Sequence, residues 1–215
     1  MVNAIDAPKP AKHSPLHREW SEYYQAVQGR PPRETLLFAL DEFDRELDSN
    51  SRKFAVDLGC GDGRDTVEIV RRGWQVLAVD GSEKAIDRLT QRPDIDRDRL
   101  TTQVQKFDSL ILPDAVDLLN ASFCLQFCPQ DEFPALWKKL VACLRSGGRF
   151  SGQLFGDRDS WTQYSNLNFH TREAIDLLFA DFSLEYFEEE EHPGKTALDE
   201  DKHWHIFQIV ARKRS

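Results

Sequence analysis

The residues best placed to do chemistry are three glycines at alternate positions, Gly59, Gly61 and Gly63. They stand among the acids Asp57, Asp62 and Asp65 in the run FAVDLGCGDGRD, residues 54–65. Glycines in such a turn let the backbone come close to a ligand, and N–H groups at the start of a following helix point at it. Another acid, Asp80, ends the next apolar run, QVLAV, and belongs beside the first turn, within reach of a ribose. The chemistry on offer is the holding of a nucleotide cofactor. One class, the dinucleotides, prefers G-x-G-x-x-G, with the third glycine packing helix on strand. Here that third position is Arg64. A pyrophosphate would also lie against Asp62 and Asp65, which is poor electrostatics.

These residues need a sheet to position them. Phe54, Ala55, Val56 and Leu58 read as a buried parallel strand, and Thr66 to Arg72 as the helix after the turn, stopped by Gly73. Gln75 to Val79 is a second strand, followed by a helix capped by Ser82 and running to about Gln91. Leu100 to Gln105 and Val116 to Ala121 are the third and fourth strands. A helix from Phe133 to Leu144, the turn Ser146-Gly147-Gly148 and a fifth strand from Arg149 to Phe155 come next. Thr171 to Ala180 is helical. Phe182 to Phe187 and Trp204 to Ala211 close the chain as a pair of strands separated by an acidic, glycine-containing linker. Strands alternating with helices imply an α/β fold with a largely parallel sheet, and the loop-joined last pair fits an antiparallel edge hairpin. The run Glu188 to Glu191 reads as a solvated strand exit.

Upstream of the sheet, residues 1–14 show no periodicity and are expected to be a mobile arm. Residues 15–50 form a helical cap. Its first helix, from Pro15 to Gln28, gathers Trp20, Tyr23, Tyr24 and Val27 near one face. Its second starts at Pro31 and Pro32 and runs to about Leu47, with Leu36, Leu37, Leu40, Phe43 and Leu47 as its stripe. Residues 51–215 are the main unit, compact with the cap. The length of 215 residues suits this single arrangement. A net charge of −9 argues against nucleic acid as partner. No apolar stretch is long enough for a membrane span, and the N-terminus lacks a signal-peptide core. The four cysteines lack disulfide-framework spacing and read as reduced thiols of a cytoplasmic protein.

The string VDLGCGDG, with VD ending the second strand at the right distance, resembles the cofactor-binding turn of class I S-adenosylmethionine-dependent methyltransferases. The resemblance covers about Trp20 to Lys213 and is nearest the tellurite-resistance and thiopurine type, which act on small molecules. It implies a Rossmann-like seven-stranded, mostly parallel sheet with helices on both faces, and S-adenosyl-L-methionine as methyl donor, leaving S-adenosyl-L-homocysteine. That cofactor carries a sulfonium and an ammonium, so the acids around the loop help. Asp57, Gly59, Cys60, Gly61, Arg64 and Asp65 would then belong to the binding turn, and Asp80 would hold both ribose hydroxyls with Gly81 and Ser82 at its edge. Lys106, Phe107 and Asp108 would border the adenine, Phe107 on the purine face and Asp108 at its amino group. The family's acid there often sits earlier, where this chain has Gln105. Asn120, Ala121 and Ser122 would pass under the methionine portion. The turn at Leu144 to Phe150 matches the glycine turn before the family's fifth strand.

Methyl transfer from a sulfonium is an in-line displacement, so alignment and exclusion of water matter most, and no catalytic residue is obligatory. Pocket candidates follow the ends of the fourth and fifth strands: Phe123, Gln126, Phe127 and Cys128, then Asp157, Arg158 and Trp161. Asp157 and Arg158 either contact substrate or pair with each other. Trp20, Tyr23 and Tyr24 either form a lid over the sulfonium or pack as an amphipathic face. Arg33 either reaches the cofactor carboxylate or begins its helix. His205 is a candidate base or a packed edge-strand histidine. His203 shares its face, but a metal site would need a third ligand, and none is assigned. The expectation is thus a monomeric methyltransferase with a small-molecule acceptor. A non-catalytic S-adenosylmethionine-binding module and an NAD(P)-dependent oxidoreductase are the alternatives.

Overall fold

The computed structural model describes residues 20–46 and 53–214. The arm at 1–14, the start of the first cap helix, Leu47 and the polar run 48–51 lie outside them. A seven-stranded sheet has the order β3-β2-β1-β4-β5-β7-β6. Its strands are β1 (Phe54–Leu58), β2 (Gln75–Asp80), β3 (Leu100–Val104), β4 (Val116–Ala121), β5 (Leu144–Phe155), β6 (Phe182–Lys195) and β7 (Asp201–Lys213). The first five pair in parallel, and β7 lies antiparallel between β5 and β6. The sheet is therefore mostly parallel with an antiparallel edge hairpin, as the sequence implies.

Alternation along the buried strands sends side chains to two cores. Val56, Leu77, Val79 and Leu119 face one layer, with α5 (Phe133–Cys143) and α6 (Arg172–Leu178). Ala55, Val76, Ala78 and Leu118 face the other, with α2 (Glu34–Arg45), α3 (Thr66–Arg71) and α4 (Glu83–Thr90). The α2 stripe of Leu36, Ala39, Leu40 and Phe43 is fully buried there. At about 1.5–3 kcal/mol per large apolar side chain, this stripe holds the cap firmly on the sheet. The preceding helix, α1 (Trp20–Val27), buries Tyr24 and Val27.

Three boundaries differ from the sequence reading. Helix α2 starts at Glu34, with Pro31 and Pro32 in the connection before it. The expected Ser146-Gly147-Gly148 turn lies inside β5, which starts at Leu144, and the register against β4 shifts there between Val116 and Leu118. The expected linker after Phe187 is strand. β6 and β7 pair continuously as far as Lys195 and Asp201. The acidic run tolerates this because its members alternate in direction. Glu189 and Glu191 meet Arg158, while Glu190 accepts a hydrogen bond from Gln208.

Candidate active site

The sheet order reverses direction at β1 and β4, so their C-terminal ends open a crevice where ligands of α/β sheets bind. The glycine turn leaves β1 here, with Gly59, Gly61 and Gly63 all at positive φ. Its first three N–H groups are taken within the protein. Gly59 and Cys60 both donate to the Val79 carbonyl, at 2.8 and 3.1 Å, and Gly61 donates to Asp80 Oδ2 at 3.0 Å. These three donors face the protein's own acceptors, one of them a carboxylate that a pyrophosphate would have to displace.

Asp80 is fixed by that bond and by the Ser82 N–H on its Oδ1 at 2.8 Å. Each oxygen keeps acceptor capacity, so the carboxylate can receive two hydroxyls of a diol. Burial pushes its acid upward, partly offset by the two backbone bonds. Below the turn, Asp57 is buried and accepts hydrogen bonds from the Thr66 hydroxyl and from Asn120 Nδ2 at 2.9 Å. Asn120 Nδ2 also reaches Asp65 Oδ2 at 3.1 Å. Burial, with Asp65 alongside, raises Asp57 to about 7. Asp65 Oδ1 accepts the Arg33 N–H at 2.9 Å, and Arg64 Nε donates to the Pro31 carbonyl at 2.5 Å. Arg64 and Asp65 thus fasten the connection between α1 and α2 to the turn.

Two cavities meet at this place. The larger, about 710 Å3, is lined by Tyr24, Gly59, Gly61, Asp80, Gly81 and Ser82, by Lys106, Phe107 and Asp108, and by Ser122, Phe123 and Phe127. The smaller, about 270 Å3, is lined by Arg33, Phe155, Trp161, Trp204, Glu190 and Gln208, among others. Trp20, Tyr23, Phe123 and Phe127 border both. Gln105 also borders the larger cavity, but its Oε1 accepts the Ile111 N–H at 3.1 Å and so braces the loop.

Several expected site residues stand behind these walls. Asp57, Cys60, Arg64, Asp65, Asn120 and Ala121 line neither cavity, and Arg33 lines the smaller one. Asp157, Arg158 and His205 also line neither. The reason is strand alternation: Trp204, Ile206 and Gln208 of β7 face the smaller cavity, so His205 faces away. There His205 Nδ1 accepts the Arg158 N–H at 3.1 Å, and Nε2 lies 3.1 Å from Glu189. The Arg158 side chain reaches Glu189 at 2.8 Å and Glu191 at 2.7 Å, closer than Asp157 at 3.7 Å. Sequence reasoning missed Cys124, Pro129 and Glu132 in the larger cavity, and Phe155, Glu190 and Gln208 in the smaller. Continuing the period-2 pattern of the last strands through the acidic run would have found Glu190.

Residues 55–148 match the methyltransferase domain family. No curated protein matches the chain. Among solved structures, TehB from Haemophilus influenzae superposes with a TM-score of 0.72 at 15% identity, covering 91% of this chain and 67% of that one. A Burkholderia thailandensis 1,6-didemethyltoxoflavin-N1-methyltransferase, with bound 1,6-didemethyltoxoflavin and S-adenosylhomocysteine, gives a TM-score of 0.64 at 20% identity, covering 98% and 94%. The N-methyltransferase NodS from Bradyrhizobium japonicum, in complex with S-adenosylhomocysteine, gives 0.64 at 16%, covering 93% and 95%. Identities this low carry the fold and nothing finer. The domain match lies over the glycine turn, and that turn is wired to an acid, so residues 55–148 carry a methyltransferase domain.

Proposed function

We propose that this methyltransferase transfers its methyl group to a small molecule held in the smaller cavity, by in-line displacement. The observation that carries the proposal is the wall shared by the two cavities, made by Trp20, Tyr23, Phe123 and Phe127. A cofactor in the larger space and an acceptor in the smaller would meet at those rings. When bound, S-adenosylmethionine supplies an activated methyl carbon.

The chain's own residues bind, orient and exclude water. Asp80 receives the ribose hydroxyls, Phe107 packs on the purine and Asp108 accepts its amino group. Gly59, Gly61, Gly81 and Ser82 shape the turn's edge, with Lys106 and Ser122 along the cavity. Tyr24, over Gly61, closes the N-terminal side. Arg33, expected at the cofactor carboxylate, borders the acceptor side and lays its guanidinium on Phe123 of the shared wall. The turn residues behind the wall, Asp57, Arg64, Asp65 and Asn120, act by holding its shape. Small ligands in the solved neighbours, such as the 1,6-didemethyltoxoflavin of the Burkholderia enzyme, support the acceptor class.

No helix among the described residues is long and apolar enough to cross a membrane. Four buried cysteines, free of disulfides, support a reducing, cytoplasmic setting, and we include in the proposal a monomer without nucleic-acid partners. The described part of the cap, residues 20–46, is assigned to the same compact unit as residues 53–214, supported by the buried α2 stripe.

Isothermal titration with S-adenosylhomocysteine tests the reading. The folded chain should bind it, and Asp80→Ala should weaken binding by about 10- to 100-fold, the loss of charge-assisted hydrogen bonds. Unchanged affinity in that variant would sink the assignment of Asp80.

A further inference from the structure

Tryptophans around a pocket ordinarily suggest a cationic ligand, because ring faces attract positive charge. In the smaller cavity the protein has placed its own cations on those rings. Lys202 Nζ lies 3.9 Å from the ring centroid of Trp161, 4.5 Å from Trp204 and 5.1 Å from Phe155. The Lys202 side chain is fully buried and ion-pairs with the equally buried Asp159. Asp159 also accepts the N–H groups of Trp161 at 2.9 Å and His205 at 3.2 Å, which fixes the pair in place. The three rings line the cavity and Lys202 does not, so the ammonium backs the wall. Arg33, which does line the cavity, lays its guanidinium 4.2 Å from the centroid of Phe123. Its backbone is held at both ends, the N–H donating to Asp65 and the carbonyl accepting from the Leu37 N–H.

A ring with a cation against one face has its π density drawn toward that charge. A second cation on the opposite face meets a weaker quadrupole, and at Phe123 it is also repelled by Arg33 across the ring. An electron-rich ring in the same space is attracted instead. The acid lining the cavity, Glu190, is held by Gln208 Nε2 at 2.8 Å and can accept one O–H or N–H. We infer that the smaller cavity selects planar, electron-rich aromatic acceptors, neutral or anionic, and excludes cations of the same shape, with Lys202 and Arg33 setting that preference. The inference rests on the reading of this cavity as the acceptor compartment.

The test is calorimetric titration of the full chain, loaded with S-adenosylhomocysteine, with naphthol, naphthoate and N-methylquinolinium. Naphthol and naphthoate should bind, and N-methylquinolinium should bind about tenfold more weakly. Lys202→Met made together with Asp159→Asn removes both charges without leaving one buried alone, and should narrow the difference to about threefold. N-methylquinolinium binding as well as naphthol overturns the inference, and so does failure of all three probes. Either result leaves the cofactor assignment standing so long as S-adenosylhomocysteine itself binds. Failure at that loading step overturns both. Should the double variant not fold, the three-probe series on the unaltered chain decides alone.

Discussion

Asp57 shows what a single buried acid does in this fold. It touches no cavity, and its oxygens are taken by Thr66 and Asn120. Its unfolded-state pKa is about 3.9, whereas in the folded chain it stands at about 7. In that interval the folded state holds a proton that the unfolded state has released. The group's contribution to stability is thus fully present below the unfolded value and is lost as pH rises through about 7. Asp57→Asn keeps the shape and one acceptor oxygen for Asn120, turns the Thr66 bond round so that the hydroxyl accepts from the new amide, and removes the titration. Its melting temperature relative to the unaltered chain should climb from acid to neutral pH, read by scanning calorimetry; a constant difference would contradict the raised pKa. The glycine turn and Asp80 were legible in the sequence because their spacing is local. The roles of Asp57, Asp65 and Asn120 were not, because their contacts join residues 63 and 55 positions apart.

At the scale of elements, the crevice depends on how closely the turn after β1 approaches the exit of β4. A Cβ on Gly59, at φ +67°, would lie 2.3 Å from Cys124 Cβ, with that residue's backbone just behind. Gly73, at φ +85°, has nothing within 4 Å. Gly59→Ala should therefore cost about 2–4 kcal/mol, strain plus overpacking, and also weaken S-adenosylhomocysteine binding. Gly73→Ala should cost about 1 kcal/mol and leave binding alone. Urea unfolding with parallel titrations separates the two; equal costs would mean that the close approach does not matter. The parallel strands were readable from the sequence because each is an apolar run bounded by turn residues. The length of β6 and β7 was not, since EEEEHPGK carries charge, a proline and a glycine, and is extended only through cross-strand partners such as Arg158 and Gln208. The misplaced candidates Asp157, Arg158 and His205 follow from that shortfall, because the far face of the hairpin was hidden with it.

Across the whole molecule, the sheet divides the work between its halves. The parallel half, through the ends of β1, β2 and β4, shapes the larger cavity. The antiparallel hairpin supplies Glu190, Trp204, Ile206 and Gln208 to the smaller one. The cap closes both, since Trp20 and Tyr23 of α1 border each, and Arg64 and Asp65 tie the α1–α2 connection to the turn. If the halves are thermodynamically separable, substitutions on each should move one affinity and spare the other. Trp204→Ala removes a large ring from the acceptor side and should weaken naphthol binding about tenfold while leaving S-adenosylhomocysteine within about twofold. Asp80→Ala should do the reverse for the cofactor, and any loss of naphthol binding in it should vanish at saturating S-adenosylhomocysteine. The measurement is a pair of calorimetric titrations on each variant. Loss of both ligands in Trp204→Ala, in a protein that still melts cooperatively, would show that the two cavities are one site with the hairpin as part of the cofactor wall.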